Sequence, residues 1–316
     1  MGRWLVLGGT RFLSHAVAAG AVACGHEVTC VARGSSGPVP DGATLVVADR
    51  DVPGSLDALR GQRFDAVVEV ARSLPWVREA LAVVDAAHRT FVSTVSVYAD
   101  PATPGQGVDA PLLAPREDGD YGAVKVASEE AVRAAHPDAL IVRAGLICGP
   151  GDLSDRFGYW PARFARGGRA VIPDAPDQPL QIVDVRDLAA WIVDAGERGL
   201  GGTFDASGPR TTLGAVLDAI AAAVGAPDLV PVPVAPAALE AAGVAPWAGP
   251  RSLPLWLPAT HVGIVARDTA PAAAAGLVCR PVAETARAAL AHERALGPDR
   301  PRQAGLDPAE EATLVR

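Results

Sequence analysis

Two residues four apart, Tyr121 and Lys125 in DYGAVKVASEEA (120–131), have the types and spacing to do chemistry together. On a helix that spacing puts both side chains on one face, where they can act on a single group. A phenol titrates near about 10, so it serves as a base near neutrality only beside a cation that favours phenolate. Lys125 is such a cation. Thr94, closing the apolar run TFVSTV (90–95), adds a hydroxyl that could hold a reacting oxygen while Tyr121 moves its proton. A tyrosine and a lysine so spaced also arise as a plain surface pair on an amphipathic helix, so the surrounding elements must decide.

Those elements repeat. WLVLG (4–8), EVTCVA (27–32), ATLVVA (43–48), DAVVEV (65–70), TFVSTV (90–95) and ALIVRA (139–144) read as strands buried on both faces. Segments of helical period lie between them, at 12–23, after Ser73 with Pro75 in the first turn, and at 119–136. Strand, helix and strand in repetition imply right-handed crossovers, hence an α/β protein with a doubly wound parallel sheet. Its ligands should bind outside the carboxyl ends of the strands. The run QIVDVRDLAAWIVDA (181–195) reads as strand then helix, and GTFDAS (202–207) as an edge strand. From residue 148 onward, the rest is punctuated by Gly and Pro and predicts a smaller, mostly helical lobe. Its last helix is signalled by DPAE (307–310), a capping box from Asp307 to Glu310 with Pro308 in the first turn.

Composition narrows the classes. The 316 residues carry a formal charge of −8, which offers no field to draw nucleic acid or an anionic membrane. The four cysteines, Cys24, Cys30, Cys148 and Cys279, have no metal-ligand spacing and read as reduced core residues, so no metal is expected. The opening apolar run breaks at Gly8 and Gly9, short of a signal peptide, and no apolar run reaches membrane-spanning length. A cytoplasmic protein without membrane or nucleic-acid partners is the expectation.

The first strand runs into LGGTRFLS (7–14), a glycine turn opening a helix. Such a turn aims backbone N–H groups and the positive helix end at a pyrophosphate. The second strand ends at Arg33 followed by Ser35 and Ser36, where a basic side chain suits a ribose 2′-phosphate and an acidic one a free 2′-hydroxyl. Arg33 as a solvated surface residue fits the same position equally well.

The ordered set GGTRFLS (8–14), STVSVY (93–98), YGAVK (121–125), CGPG (148–151) and QIVDVRDLA (181–189) resembles the extended short-chain dehydrogenase/reductase family, which includes nucleotide-sugar epimerases and dehydratases. The order and intervals match over about the first 210 residues, which is far more specific than any one motif. The resemblance implies a Rossmann-type domain over 1–147, with 181–207 returning to it, and a substrate-binding lobe from 148–180 and 208–316. It also implies an NAD(P)-dependent oxidoreductase or epimerase acting on a hydroxyl or carbonyl carbon, with Tyr121 as acid/base, Lys125 lowering its pKa and Thr94 orienting the reacting oxygen. Gly8, Gly9, Thr10, Arg11, Phe12, Leu13, Arg33, Asp49, Val70, Ala71, Tyr121 and Lys125 would hold the cofactor. Arg11 and Ser14 replace two family glycines, and Arg33 stands where NAD users carry an acid, so NADP(H) is preferred, with NAD(H) as the alternative. A homodimer through the helices at 73–88 and 119–136 follows from the same resemblance.

For the substrate, the stretch 100–120 lacks any period and ends at Tyr121, so it reads as a substrate-facing loop. In DLSDRFGYWPARFARGGR (152–169), arginines alternate with aromatics as a ligand surface or as an amphipathic helix with a buried stripe. Arg156 and Tyr159 are its candidates for a small-molecule substrate. Trp247 and Trp256 could cover a pocket or pack the lobe. A dehydratase would want an acid/base pair near Thr94, and Val95 offers none. The rival from another class is a catalytically silent nucleotide-sensing or RNA-binding relative, against which the intact Thr94, Tyr121 and Lys125 set and the negative charge both argue.

Overall fold

In the computed structural model, residues 1–297 and 300–314 are described. Seven strands form the central sheet: β1 (Arg3–Leu7), β2 (Glu27–Ala32), β3 (Ala43–Val47), β4 (Arg63–Glu69), β5 (Asp85–Thr94), β6 (Leu140–Ala144) and β7 (Gly202–Ala206). They run in the order β7-β6-β5-β4-β1-β2-β3, and every pairing is parallel. The doubly wound α/β fold expected from the sequence is the one observed. The side on which successive strands are added reverses at β1, whose Leu5 lies opposite Thr29 of β2 and Val67 of β4. A crevice at such a reversal is where open α/β sheets bind ligands.

Alternation along the strands separates two cores. Trp4 and Val6 point into one with Val28, Cys30 and Val68, beneath α1 (Phe12–Ala23) and α5 (Val185–Arg198). Leu5 and Leu7 point the other way, into a core with Val31, Phe64 and Val67, to which Ala80 and Val83 of α2 (Leu74–Val83) belong. Alongside α2 packs α3 (Tyr121–Ala135), capped by Asp120, whose carboxylate accepts the Ala123 N–H at 2.8 Å. Both faces of the sheet are thus covered, which explains the near-continuous apolar runs of its inner strands.

Two boundaries moved. The expected strand at 90–95 begins at Asp85, because DAAHR enters the sheet although His88 and Arg89 break the apolar pattern. Consequently α2 ends at Val83, and Val84 caps it. The strand Ile182–Asp184 pairs with Leu146–Cys148 outside the main sheet, and the chain rejoins that sheet only at β7, its edge strand.

The rest of the chain builds a second core, with α4 (Tyr159–Ala165), α6 (Leu213–Val224), α7 (Pro236–Ala241), α9 (Val282–Leu296) and α10 (Pro308–Leu314) around it; α8 (Ala270–Ala274) packs instead by β7. Short parallel pairs, Arg169–Pro173 with Val230–Val234 and Ala245–Trp247 with Ser252–Pro254, structure the proline-rich passage. The expected capping box holds α10: Glu310 N–H donates to Asp307 at 2.7 Å, and Asp307 N–H to Glu310 at 2.9 Å. No described helix is long and apolar enough to cross a membrane, and no cluster of potential metal ligands occurs among the described residues.

Candidate active site

The glycine turn is built for close approach. Gly8 and Gly9 take φ of +140° and +105°; a Cβ on Gly8 would lie 2.9 Å from that of Ser14, and one on Gly9 would run into the Cys30 sulfur. Ser14 has a definite task here. Its hydroxyl oxygen accepts the Gly9 N–H at 3.0 Å and donates to the Arg11 carbonyl at 2.9 Å, cross-bracing the turn where the family has glycine. No side chain caps α1, so its first N–H groups stay available for an anion. Phe12, at φ +43°, and Leu13 face the main cleft, while Thr10 and Arg11 line a neighbouring recess of about 490 Å3 with Ser36 and Gly151. Arg11 Nε donates to the Ser36 carbonyl at 3.3 Å. Tight glycines and an uncapped helix end together fit a dinucleotide's pyrophosphate.

The cleft beyond the turn, about 590 Å3, gathers Thr94, Tyr121 and Lys125. Thr94 ends β5; its Oγ1 accepts the Ser96 N–H and donates to the Ser96 hydroxyl, both at 3.2 Å. Tyr121 opens α3 and keeps 38% of its surface exposed. Burial pushes the Tyr121 phenol above its ordinary pKa, while the Arg72 guanidinium, the Thr94 hydroxyl and Arg156 pull it back down in part. Lys125, one turn on, is buried, and its ammonium donates to the carbonyls of Ala71 (2.7 Å) and Val92 (2.6 Å) over the Phe91 ring. Desolvation lowers its pKa to about 8, against the opposing pull of Glu69 and Glu129. In the protein itself, then, Lys125 is bonded to two carbonyls, and the cations that act on the phenol are arginines.

Val70 lines the cleft, and Ala71 is buried, its carbonyl accepting from Lys125. Arg33 and Asp49 do not join them: both are exposed, and Asp49 accepts the Asp51 N–H at 3.1 Å, a local turn contact. Arg156 does reach the cleft, its guanidinium 5.0 Å from the Trp247 ring. Tyr159 is a correction. Buried at 2% exposure and 5.0 Å from Trp160, it belongs to the stripe of α4 that faces the lobe core. Arg163 in that stripe is likewise structural, donating to both oxygens of Glu311 at 2.7 and 2.8 Å. The loop at 100–120 is the second correction. None of its residues lines the cleft, and Arg267 and Arg143 fasten it through the carbonyls of Gly107 and Val108.

Spacing does not single out Arg72, Asp152 or Ser154, yet all three line the cleft. Arg72 lies 5.0 Å over the Tyr121 ring. Asp152, its carboxyl pushed up by burial, accepts the N–H and the hydroxyl of Ser154 at 2.8 and 3.0 Å. The one available signal was position, since Arg72 and Asp152 each follow a strand end. Of the two tryptophans, Trp247 lines the cleft and Trp256 packs the lobe.

Residues 77–204 match the model of the NAD dependent epimerase/dehydratase family. The chain's fold is similar to that of the Bordetella bronchiseptica enzyme WbmH in complex with NAD+, with a TM-score of 0.69 at 20% identity, over 94% of this chain and all of that one (100%). It is similar also to WbmG of that organism, in complex with NAD and UDP, with a TM-score of 0.68 at 18% identity over 94% and 96%. A probable low-salt glycan biosynthesis reductase of Haloferax volcanii is 35% identical over 88 residues, 27% of this chain and only 29% of that relative's length. Residues 77–204 thus match a family model of the epimerase/dehydratase type, and the chain as a whole shares the fold of these structures.

Proposed function

We propose that this cleft is the active site of an NAD(P)-dependent oxidoreductase or epimerase that acts on a hydroxyl-bearing or carbonyl carbon, with a nucleotide-sugar as the substrate class. One observation carries the reading: Thr94, Tyr121 and Lys125 share a cleft with Phe12 and Leu13 of the phosphate-ready turn. Gly8, Gly9 and the first N–H groups of α1 would hold the pyrophosphate, and Lys125 and Val70 would flank the nicotinamide end. When bound, the nicotinamide supplies or accepts the hydride. Tyr121 moves the matching proton at the substrate oxygen, and Thr94 orients that oxygen by its hydroxyl. Residues 1–147 with 181–207 serve the cofactor, and 148–180 with 208–316 the substrate. The described part of the latter excludes 298–299 and 315–316.

Arg11 beside Ser36, with Arg33 exposed on the same loop, supports a preference for NADP(H). A homodimer through α2 and α3 and a cytoplasmic setting complete the proposal. Tyr121→Phe provides the test. It should lower turnover of an identified substrate by at least about 10³-fold, while equilibrium titration still shows NADPH binding, tighter than NADH and close to wild type. Wild-type turnover in this variant would remove the assignment of Tyr121 as the acid/base.

A further inference from the structure

We infer that Arg72 and Arg156 form an anion subsite beside Tyr121, so that the substrate carries a carboxylate or phosphate close to its reacting carbon. The two guanidiniums come from different parts of the chain, Arg72 from just after β4 and Arg156 from the segment before α4, and both face the cleft. Arg72 lies over the Tyr121 ring and Arg156 over the Trp247 ring, each with its carbon 5.0 Å from the ring centroid. A guanidinium at that distance from a ring still has N–H donors beyond those the ring can occupy, and these are open to an acceptor. Arg156 spends Nε on the Ser154 hydroxyl at 3.1 Å. Among the described residues, neither arginine has a carboxylate within ion-pair distance.

The charge balance of the cleft points the same way. Lys125 adds a third cation, committed to two backbone carbonyls, and Asp152 is the acid that lines the cleft, committed to Ser154. A neutral ligand that displaced water from this cleft would take solvent from Arg72 and leave Arg156 with the Ser154 hydroxyl alone, an unfavourable exchange for two cations. An acidic group placed between them makes charge-assisted hydrogen bonds instead. The assignment of that group to the substrate rests on the cleft being the active site; the binding of an anion does not.

Tyr121 reports the event without any known substrate. Arg72 and Arg156 both draw its ionisation down, together with the Thr94 hydroxyl, so an anion that neutralises them pushes it up. The chain has three tyrosines. Burial and Asp205 push Tyr98 up to about 12 and burial pushes Tyr159 up as well, whereas Arg72, Thr94 and Arg156 draw Tyr121 back, so Tyr121 is the phenol expected to ionise first as the pH is raised.

The experiment follows tyrosinate absorbance of the full-length protein against pH, in malonate and in chloride at equal ionic strength. Malonate should raise the first midpoint by about 0.5 pH unit or more. Arg72→Met and Arg156→Met should each begin from a higher midpoint and respond less, their combination should not respond, and Arg72→Lys should keep the response. Tyr121→Phe should remove the transition. Malonate acting no differently from chloride, a response surviving in the double variant, or a first transition surviving Tyr121→Phe would each overturn the subsite. The cofactor's own phosphates are the other source of such an anion. Protein saturated with NADP+ should still respond to malonate; a midpoint raised by cofactor alone, with the malonate response lost, assigns the arginines to the cofactor and overturns the proposal. Failure here leaves the Tyr121→Phe turnover test intact, and the reverse also holds.

Discussion

Two tyrosines in this protein each keep company with two arginines, and their fates differ. Tyr98 has Arg143 at 5.0 Å and Arg267 at 3.4 Å from its ring, is 4% exposed, and donates its O–H to Asp205 at 2.6 Å. Arg143 is answered by Glu129 at 2.8 Å and Arg267 by Asp205 at 3.2 Å. Tyr121 has Arg72 over its ring and the charge of Arg156 acting on its phenol, is 38% exposed, and among the described residues no acid is within ion-pair distance of either cation. The same residue types therefore make a closed network in one place and an open one in the other. Buried charge is tolerated only when every partner is present, so the closed set holds the fold: it clamps β5, β6 and β7 to the 100–120 loop and to Arg267. The open set has its missing partner to supply from solution, which is what a binding site requires.

The largest effect that could break this comparison is in the closed set. Arg143→Met leaves Glu129 buried without its main partner and takes a donor from Tyr98 and from the Val108 carbonyl. We expect a loss of about 3–5 kcal/mol in urea unfolding. A loss below about 1 kcal/mol would mean that the Tyr98 network does not clamp the fold.

A smaller effect sharpens the comparison through pH. Burial acts to raise the Glu129 carboxyl, but the hydrogen bonds and charge of Arg143, with Ser93 and Arg133, outweigh it and hold the folded pKa below the ordinary value. A depressed carboxylate stabilises above its unfolded pKa and loses that stabilisation as pH falls through its folded one. Wild type should therefore lose stability below about pH 4.5. Asp205 works in the opposite sense, because burial leaves its folded pKa raised, and its protonation in acid relieves a cost. Glu129→Gln, less stable at neutral pH, should show a shallower acid decline in chemical unfolding; an unchanged decline would place the acid sensitivity elsewhere.

How much of this was legible in the sequence depended on the range of the contacts. The turn, Thr94, Tyr121 and Lys125 lie in short segments whose strand and helix periods fix their direction, and all four were readable at once. Seven parallel strands followed from the same local patterns, apart from the start of β5, where His88 and Arg89 are buried against pattern. Tyr159 and Arg163 were opaque because their fate depends on the lobe core and on Glu311, 148 residues from Arg163. Whether an arginine is answered by an acid is likewise a tertiary fact. Arg143 and Arg72 look alike in the string, each following or ending a strand, and only the fold gives one of them Glu129.

That contrast yields the smallest expected effect, and the one that isolates function from fold. Arg72 is exposed, does not cap α2 and has no carboxylate within ion-pair distance among the described residues, so its removal leaves no described acid unpaired. It lies over the Tyr121 ring, and an exposed cation over a ring contributes on the order of 0.5–1 kcal/mol. Methionine keeps a flexible apolar chain against that ring and recovers part of it. Arg72→Met should thus change unfolding free energy by less than about 0.5 kcal/mol, against about 3–5 for Arg143→Met. Urea midpoints and slopes of the two variants, measured together with wild type, decide it. A destabilisation by Arg72→Met comparable to that of Arg143→Met would show that both arginines are structural, and that the open pair beside Tyr121 is not held in reserve for a ligand.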